Sequence, residues 1–172
     1  PSPPKGGVVG QLDRAAAHLL EVADETDDPA SALALAVELG LPVVIHVREA
    51  HEDMAAVLRN HTRCRGVIHS FTSGLPLAEY CLSEGFMLGF NGIATFNRAD
   101  NVREVICATP LEQILLETDA PYLTPVPYRG RPNAPFYLPL IAEKVAEVKQ
   151  LEVEAMLQQV YRNSISAFFG AD

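Results

Sequence analysis

The stretch LPVVIHVREAHEDMAAVLRN, residues 41–60, decides the fold class. Its first six residues are a short β-branched run opened by a proline, which predicts a strand over 41–46, because proline does not lie in the middle of a sheet. A helix is predicted directly after it, over about 50–59. A buried strand followed at once by a helix is the repeating unit of a parallel sheet covered by helices.

The same unit recurs along the chain. Further strands are predicted at GVIHSF (66–71), GFMLGFNG (85–92) and EQILLETDAP (112–121), with helices over 30–39, 75–84, 99–108, 136–148 and 151–168. Upstream, a strand stub at Val8–Gly10 and a helix over 12–22 are weaker predictions. Right-handed crossovers leave an open doubly wound sheet or an α/β barrel, and the Gly-rich dinucleotide fingerprint that would favour the first is absent from the sequence.

Length and composition are typical of one globular domain over residues 1–172, with 48% apolar residues. We expect a cytosolic protein, because the sequence shows neither a membrane-length apolar run nor a basic-then-apolar leader. The three cysteines, Cys64, Cys81 and Cys107, are odd in number and widely spaced. They predict buried, reduced packing residues rather than a disulfide framework.

The formal net charge of −9 means that the molecule as a whole does not attract a polyanion. Any phosphate binding must therefore be local. The candidate cations are Arg129 and Arg131 in the proline-rich segment after the fourth strand, with Arg98 and Arg103 as weaker candidates. Arg129 and Arg131 are predicted to contact the substrate, and the alternative is a solvated pair that braces their loop.

Three predicted strands finish on side chains that bind metals: His46, His69 and Asp119. The carboxyl ends of parallel strands form the functional face of such folds, so these side chains are expected on one rim. Strand alternation would place Glu117 on the same face as Asp119, as a further substrate-binding or orienting carboxylate. Imidazole and carboxylate donors without thiolate suit zinc or manganese, with magnesium less favoured.

Four motifs resemble the TatD family of metal-dependent deoxyribonucleases. They are LPVVIHVREAHEDM, RGVIHSFTSG, GFMLGFNGIATF and LLETDAPYLTPVPYRGRPNAP, and the terminal YRNSISAFFG is also similar to the family's end. The resemblance runs from about Ala30 to Gly170, and residues 1–29 diverge. It implies a (β/α)₈ TIM barrel that cleaves DNA phosphodiester bonds, usually with two divalent cations.

By this resemblance His46 and His69 would be metal ligands, and Asp119 a ligand that also takes the proton of the attacking water. The chain departs from the family in two places. It has no His-x-His pair, and Gln11 stands where the family has a glutamate that bridges two metals. An amide keeps one oxygen acceptor but lacks the negative charge that bridging requires.

The sequence therefore resembles roughly the last four or five β/α units of a barrel, because a complete one takes about 250 residues. Such a sheet would have two exposed edges. A shortened sequence or an absent front portion would explain them, and so would a short form that pairs as a homodimer and covers them. Three functions are compatible with these observations. The chain could cleave DNA or a nucleotide substrate, it could hydrolyse another ester as a deacylase does, or it could be a non-catalytic interaction module.

Overall fold

The computed structural model describes residues 29–47, 50–61 and 63–169, and their four strands form one parallel sheet. The strands are β1 (Val43–His46), β2 (Gly66–His69), β3 (Met87–Phe90) and β4 (Ile114–Leu116). Strands that follow each other along the chain are also neighbours in the sheet. The predicted strand at Val8–Gly10, the helix over 12–22 and Gln11 lie outside the described residues.

Helices connect the strands and cover the sheet. They are α1 (Pro29–Leu39), α2 (His51–Arg59), α3 (Leu75–Ser83), α4 (Asp100–Ala108), α5 (Leu138–Lys149) and α6 (Val153–Phe169). A short 3₁₀ turn at Gly92–Thr95 follows β3, a second at Leu111–Gln113 precedes β4, and a third at Pro135–Tyr137 precedes α5. The predicted parallel α/β architecture of barrel type is confirmed.

The register of the strands separates the two faces of the sheet. Ile68 pairs with Leu88, and Leu88 pairs with Ile114, so this row points to one side, and all three side chains are almost completely buried in the helix-covered core. The rows on either side of it point the other way and contain the buried Val67, paired with Met87, and the buried Leu115, paired with Gly89. Val67 and Leu115 pack with Ala167 of α6. Burying large aliphatic side chains stabilises the fold by about 2 kcal/mol each.

Helix α6 is fixed to the beginning of β4 by one buried side chain. Asn163 is 3% exposed, and its amide donates hydrogen bonds to the carbonyl oxygens of Leu111 and Ile114, each at 2.8 Å. A buried amide without partners would cost about 1–3 kcal/mol, so these bonds also explain why an asparagine is tolerated there. They hold the last helix against the end of the sheet opposite to the histidines.

The predicted strand over 112–121 is wrong at both ends. Residues 111–113 form a 3₁₀ turn, the strand covers only Ile114–Leu116, and the chain leaves the sheet at Glu117. Asp119 has φ 59°, a left-handed conformation that a strand does not contain. Strand alternation therefore does not set the direction of its side chain.

Two of the three cysteines are buried as predicted, but the prediction for Cys107 is wrong. Cys64 and Cys81 lie in the core, whereas Cys107 is exposed on α4. Burial raises the pKa of the Cys64 thiol and raises that of Cys81 to about 11.

None of the helices within the described residues combines the length and the apolarity needed to cross a bilayer.

Candidate metal site at the carboxyl ends of the strands

His46 and His69 are the last residues of two adjacent strands. They are partners in the register of β1 and β2, and their ring centres lie 5.5 Å apart. Two imidazoles that bind one tetrahedral cation have ring centres about 5 Å apart, given metal–nitrogen bonds of about 2.05 Å. The sheet alone therefore brings this pair to the separation that a shared cation requires.

His69 lies between two carboxylates. Its Nδ1 is 2.7 Å from Glu117 Oε2, and its Nε2 is 3.3 Å from Asp119 Oδ1. An ionised carboxylate only accepts hydrogen bonds, so the short contact with Glu117 places the ring proton on Nδ1. The lone pair of Nε2 then points toward Asp119, where a cation would be bound.

The second oxygen of Glu117 is also occupied. Oε1 accepts a hydrogen bond from the backbone N–H of Ser70 at 2.6 Å, and Ser70 has φ 51°. The Ser70 hydroxyl in turn accepts a hydrogen bond at 2.8 Å from the amide of Asn91, which is only 3% exposed. Glu117 thus holds both the imidazole and the unusual backbone turn that follows it, and its contact with substrate stays a prediction.

Gly89 makes the Glu117–His69 contact possible. Glu117 follows β4 and His69 ends β2, so the carboxylate has to cross β3, which lies between them. A Cβ on Gly89 would stand 2.7 Å from Glu117 Oε2 and 3.0 Å from its carboxyl carbon, closer than such atoms approach. A glycine inside a strand often marks such a close approach.

Asp119 lies in a loop that is held in place by hydrogen bonds from a side chain of the same loop. Asn133, 5% exposed, donates from its amide to the carbonyl oxygens of Thr118 and Tyr122, each at 2.6 Å. These two carbonyls flank Asp119, so the buried amide fixes the turn that carries the carboxylate. The dense proline spacing of this segment adds stiffness, because each proline ring fixes its own φ.

The donor set fits a divalent cation in type and in spacing. The 3.3 Å between His69 Nε2 and Asp119 Oδ1 is long for a hydrogen bond. It matches the about 3.3 Å expected between two donors at about 2.05 Å from one tetrahedral ion. Among the described residues no three His, Cys, Asp or Glu side chains already stand in a closed metal-binding arrangement. The exposed His46 side chain would therefore adjust on binding.

The two arginines predicted to bind substrate are placed differently. The guanidinium of Arg129 lies on the face of Phe96, 3.7 Å from the ring centre, next to the segment that follows β3. The guanidinium of Arg131 is 5.7 Å from the ring centre of Tyr128, within its own loop. Arg103, a weaker candidate, donates to the carbonyl oxygens of Ala94 and Phe96 and so braces the protein instead of facing solvent.

The family model described as TatD related DNase matches residues 30–169. The chain belongs to the TatD family. The match covers all of the strands above and both carboxylates of the site. The family resemblance inferred from the sequence motifs is thereby confirmed.

Named relatives support the same conclusion. The chain is 41% identical over 137 residues to the uncharacterized metal-dependent hydrolase YcfH of Escherichia coli K12, which covers 78% of the chain and 51% of YcfH. It is 37% identical over 138 residues to YabD of Bacillus subtilis, named in the same words, with 79% and 54% covered. A third relative, from Erwinia amylovora, is the 3'-5' ssDNA/RNA exonuclease TatD, 38% identical over 143 residues, with 79% and 55% covered.

The solved structure of YJJV, a TatD homologue from Escherichia coli K12, superposes with a TM-score of 0.75 at 32% identity. The superposition covers 80% of this chain and 54% of YJJV. The chain thus spans about half the length of the relatives it matches. The described residues supply four β/α units of the barrel-type fold.

Sequence reasoning found His46, His69 and Asp119, and the structure brings all three to one rim. It missed the residues that hold them, namely Ser70, Gly89, Asn91 and Asn133. One signal was readable: Gly89 interrupts an apolar strand. The roles of Asn91 and Asn133 depend on contacts between distant segments and leave no pattern in the sequence.

Proposed function

We propose that the chain carries part of a metal-dependent hydrolase site that cleaves phosphodiester bonds of DNA. The observation that carries the proposal is His69, with its proton held on the Glu117 side and its Nε2 directed at Asp119, beside His46. The names of the relatives as metal-dependent hydrolases, and of one as an exonuclease on single-stranded nucleic acid, support it.

His46, His69 and Asp119 would hold the cation, which we expect to be zinc, manganese or magnesium, and a complete family site would hold two. A divalent cation at such a site supplies an acidified water and polarises a phosphoryl oxygen. Glu117 keeps the His69 ring in the tautomer that leaves Nε2 free, the usual arrangement for a metal-binding imidazole.

Asp119 would also accept a proton from the attacking water. Its carboxylate is about one-third exposed, so it meets solvent and substrate at the rim. A general base has to lie within hydrogen-bonding reach of the proton that it removes, and the left-handed turn at Asp119 directs the carboxylate toward the rim instead of along the strand. The expected contribution of such a base is about 10²–10⁴-fold in rate.

Aromatic side chains between β4 and α5, in the part of the chain that also carries Asp119, favour a polynucleotide over a small ester. Tyr128, Phe136 and Tyr137 form a contacting group, with ring centres 5.0 Å apart for the two tyrosines and 4.2 Å apart for Phe136 and Tyr137. Phe136 is 71% exposed. Exposed aromatic faces stack on unpaired bases, each for about 1–3 kcal/mol, so a single-stranded substrate fits this surface.

The test combines metal analysis with turnover. Protein purified with added Zn²⁺ or Mn²⁺ is expected to retain a stoichiometric cation, and a His46→Ala/His69→Ala double variant is expected to lose it, as measured by plasma mass spectrometry. His61→Ala, in the linker between α2 and β2, is the matched control. Asp119→Asn should abolish release of acid-soluble nucleotides from single-stranded DNA while leaving the circular dichroism spectrum unchanged.

The alternatives give different results. Folded protein that binds no cation and cleaves nothing would favour a non-catalytic interaction module. The 61% exposed Val44, on the edge of β1 that no described strand covers, lends support to that alternative. Metal-dependent turnover of acyl esters or amides without cleavage of DNA would identify a deacylase. Turnover retained in Asp119→Asn would remove that residue from the mechanism.

A further inference from the structure

A second candidate site lies on the same rim as the histidines. A cleft of about 440 Å³ opens between the segments that follow β2, β3 and β4. Its polar and charged lining consists of Thr72, Asn97, Arg98, Asn101 and Arg129, and Phe96 supplies an aromatic wall. None of these residues belongs to the candidate metal site.

The charge of this cleft is opposite to that of the chain. Two arginines line it, no aspartate or glutamate does, and the formal net charge of the whole sequence is −9. Within the part of the chain that the structure describes, neither guanidinium forms an ion pair. By contrast, Arg103 nearby pairs with Asp100 at 2.6 Å.

The arginines are carried by segments that are already braced. Arg103 donates to the carbonyl oxygens of Ala94, Phe96 and Asn97, at 3.1, 2.7 and 3.3 Å, which fixes the stretch leading to Arg98. The backbone N–H of Val126 donates to the Thr95 hydroxyl at 2.9 Å and ties the loop of Arg129 to that stretch.

Close packing at Gly92 joins the same two segments. A Cβ on Gly92 would lie far inside contact distance of the carbonyl oxygen of Leu123, so the loop after β4 rests directly on this glycine. The guanidinium of Arg129 lies over Phe96, 3.7 Å from the ring centre, and this contact restrains its side chain. The Arg129 side chain and the backbone segments that carry both arginines are therefore preorganised to receive an anion.

We propose that this cleft binds a phosphate group of a nucleic acid strand, next to the bond being cleaved. The proposal rests on the proposed function and names a contact for a phosphate other than the reacting one. Guanidinium groups bind phosphate oxygens through paired N–H donors, and two arginines line this cleft. Substrates with a flanking phosphate would thus be preferred to a single isolated diester.

Binding to metal-free protein tests the cleft separately from catalysis. The probe is a fluorescein-labelled single-stranded DNA of about 12 nucleotides in EDTA. Its fluorescence anisotropy measures binding at NaCl concentrations between about 20 and 200 mM. The Arg98→Gln/Arg129→Gln variant should bind at least about tenfold more weakly at the lowest salt. Loss of one phosphate contact should also reduce the slope of log K against log salt by about 0.7.

Arg162→Gln on α6 is the matched control, because Arg162 is exposed and pairs only with Gln159 in its own helix among the described residues. Its affinity and salt slope should equal those of the wild type. Equal affinity and slope in the wild type and in the double variant would overturn the proposal, and so would an equal loss in the control. Failure of the wild type to bind the oligonucleotide would overturn it as well.

Turnover separates this proposal from the function on which it rests. With metal added, the double variant should lose at least about tenfold more in kcat/KM on the oligonucleotide than on bis(4-nitrophenyl) phosphate, which has no flanking phosphate, and the loss should appear in KM. Equal losses on both substrates would overturn the phosphate contact. Wild-type protein that hydrolyses neither substrate would contradict the nuclease function, while the binding experiment would still decide the cleft.

Discussion

Glu117 Oε2 lies 2.7 Å from His69 Nδ1, and the contact between them crosses the one strand that separates their own strands, at Gly89. One orienting contact therefore depends on three segments: the carboxylate of Glu117, the imidazole of His69 and the absent Cβ of Gly89. This contact sets the orientation of the imidazole that faces Asp119.

Gly89→Ala should break the contact between Glu117 and His69 without removing any polar group. The new methyl group would stand 2.7 Å from Glu117 Oε2, so the carboxylate has to leave His69. We expect metal affinity or activity to fall about 10–100-fold, the usual effect of losing such an orienting partner. Gly74→Ala is the control, because its Cβ would meet its nearest neighbour at an ordinary 3.7 Å. Co²⁺ titration by visible absorption measures the affinity, and an unchanged value in Gly89→Ala would contradict the role of the glycine.

Glu117→Gln should weaken the site although the side chain keeps its shape. An amide has one acceptor oxygen, so it can satisfy the N–H of His69 or that of Ser70 but not both. We expect about a tenfold loss of metal affinity, and a larger loss in Glu117→Ala. Glu112→Gln, an exposed position before β4, should bind metal as the wild type does. A Glu117→Gln protein with wild-type affinity would show that the second hydrogen bond is dispensable.

Asn133→Ala should destabilise the loop that presents Asp119. The substitution leaves the carbonyl oxygens of Thr118 and Tyr122 without their donor, which costs about 1–3 kcal/mol. Urea unfolding measures the loss, and Asn97→Ala, an exposed asparagine, is the control for the residue type. A change in unfolding free energy below about 0.5 kcal/mol, the range of ordinary surface substitutions, would contradict the role of Asn133 in holding this loop.

One of the three cysteine thiols should be alkylated fast and the other two slowly. Cys107 is exposed, while burial raises the pKa of Cys64 and raises that of Cys81 to about 11. Iodoacetamide at pH 8 should therefore label Cys107 first, and the other two only after unfolding, as read by peptide mass spectrometry. The pKa of the Cys81 thiol is higher in the folded protein than the usual value near 9, so the unfolded chain loses this proton first. The contribution of Cys81 to the free energy of unfolding should therefore decline as the pH rises from about 9 toward 11. Rapid labelling of Cys81 at pH 8 would contradict its burial.

We expect the isolated chain to form a homodimer. A rotation of 180° about an axis parallel to the strands keeps their direction, so it would place β4 of one copy beside β1 of the other and give eight parallel strands. Val44→Glu, at a 61% exposed position of β1, should shift the molar mass in light scattering toward the monomer. Val126→Glu, in the loop after β4, should not. A monomeric wild type at high concentration would exclude this pairing.

The strand order and the histidine pair were predictable because both follow from local patterns. Short apolar runs alternate with amphipathic helices, and His46 and His69 each end such a run, so parallel pairing places them side by side. The direction of Asp119 was not predictable, because it depends on a left-handed turn and on Asn133, 14 positions further along the chain. Nor could the sequence separate Arg129 from Arg131, since the Phe96 ring that holds the former lies in a different segment.

The candidate ligands are not held with equal stiffness. In the described part of the sheet β2 has a neighbour on both sides, whereas β1 is paired only with β2 and its side chains alternate between half-buried and exposed. The amide protons at the His46 end should therefore exchange with solvent through smaller local openings than those at His69. Any polypeptide that added a strand beside β1 would suppress those openings and tighten cation binding from a distance, and by linkage the cation would tighten the hold of that polypeptide.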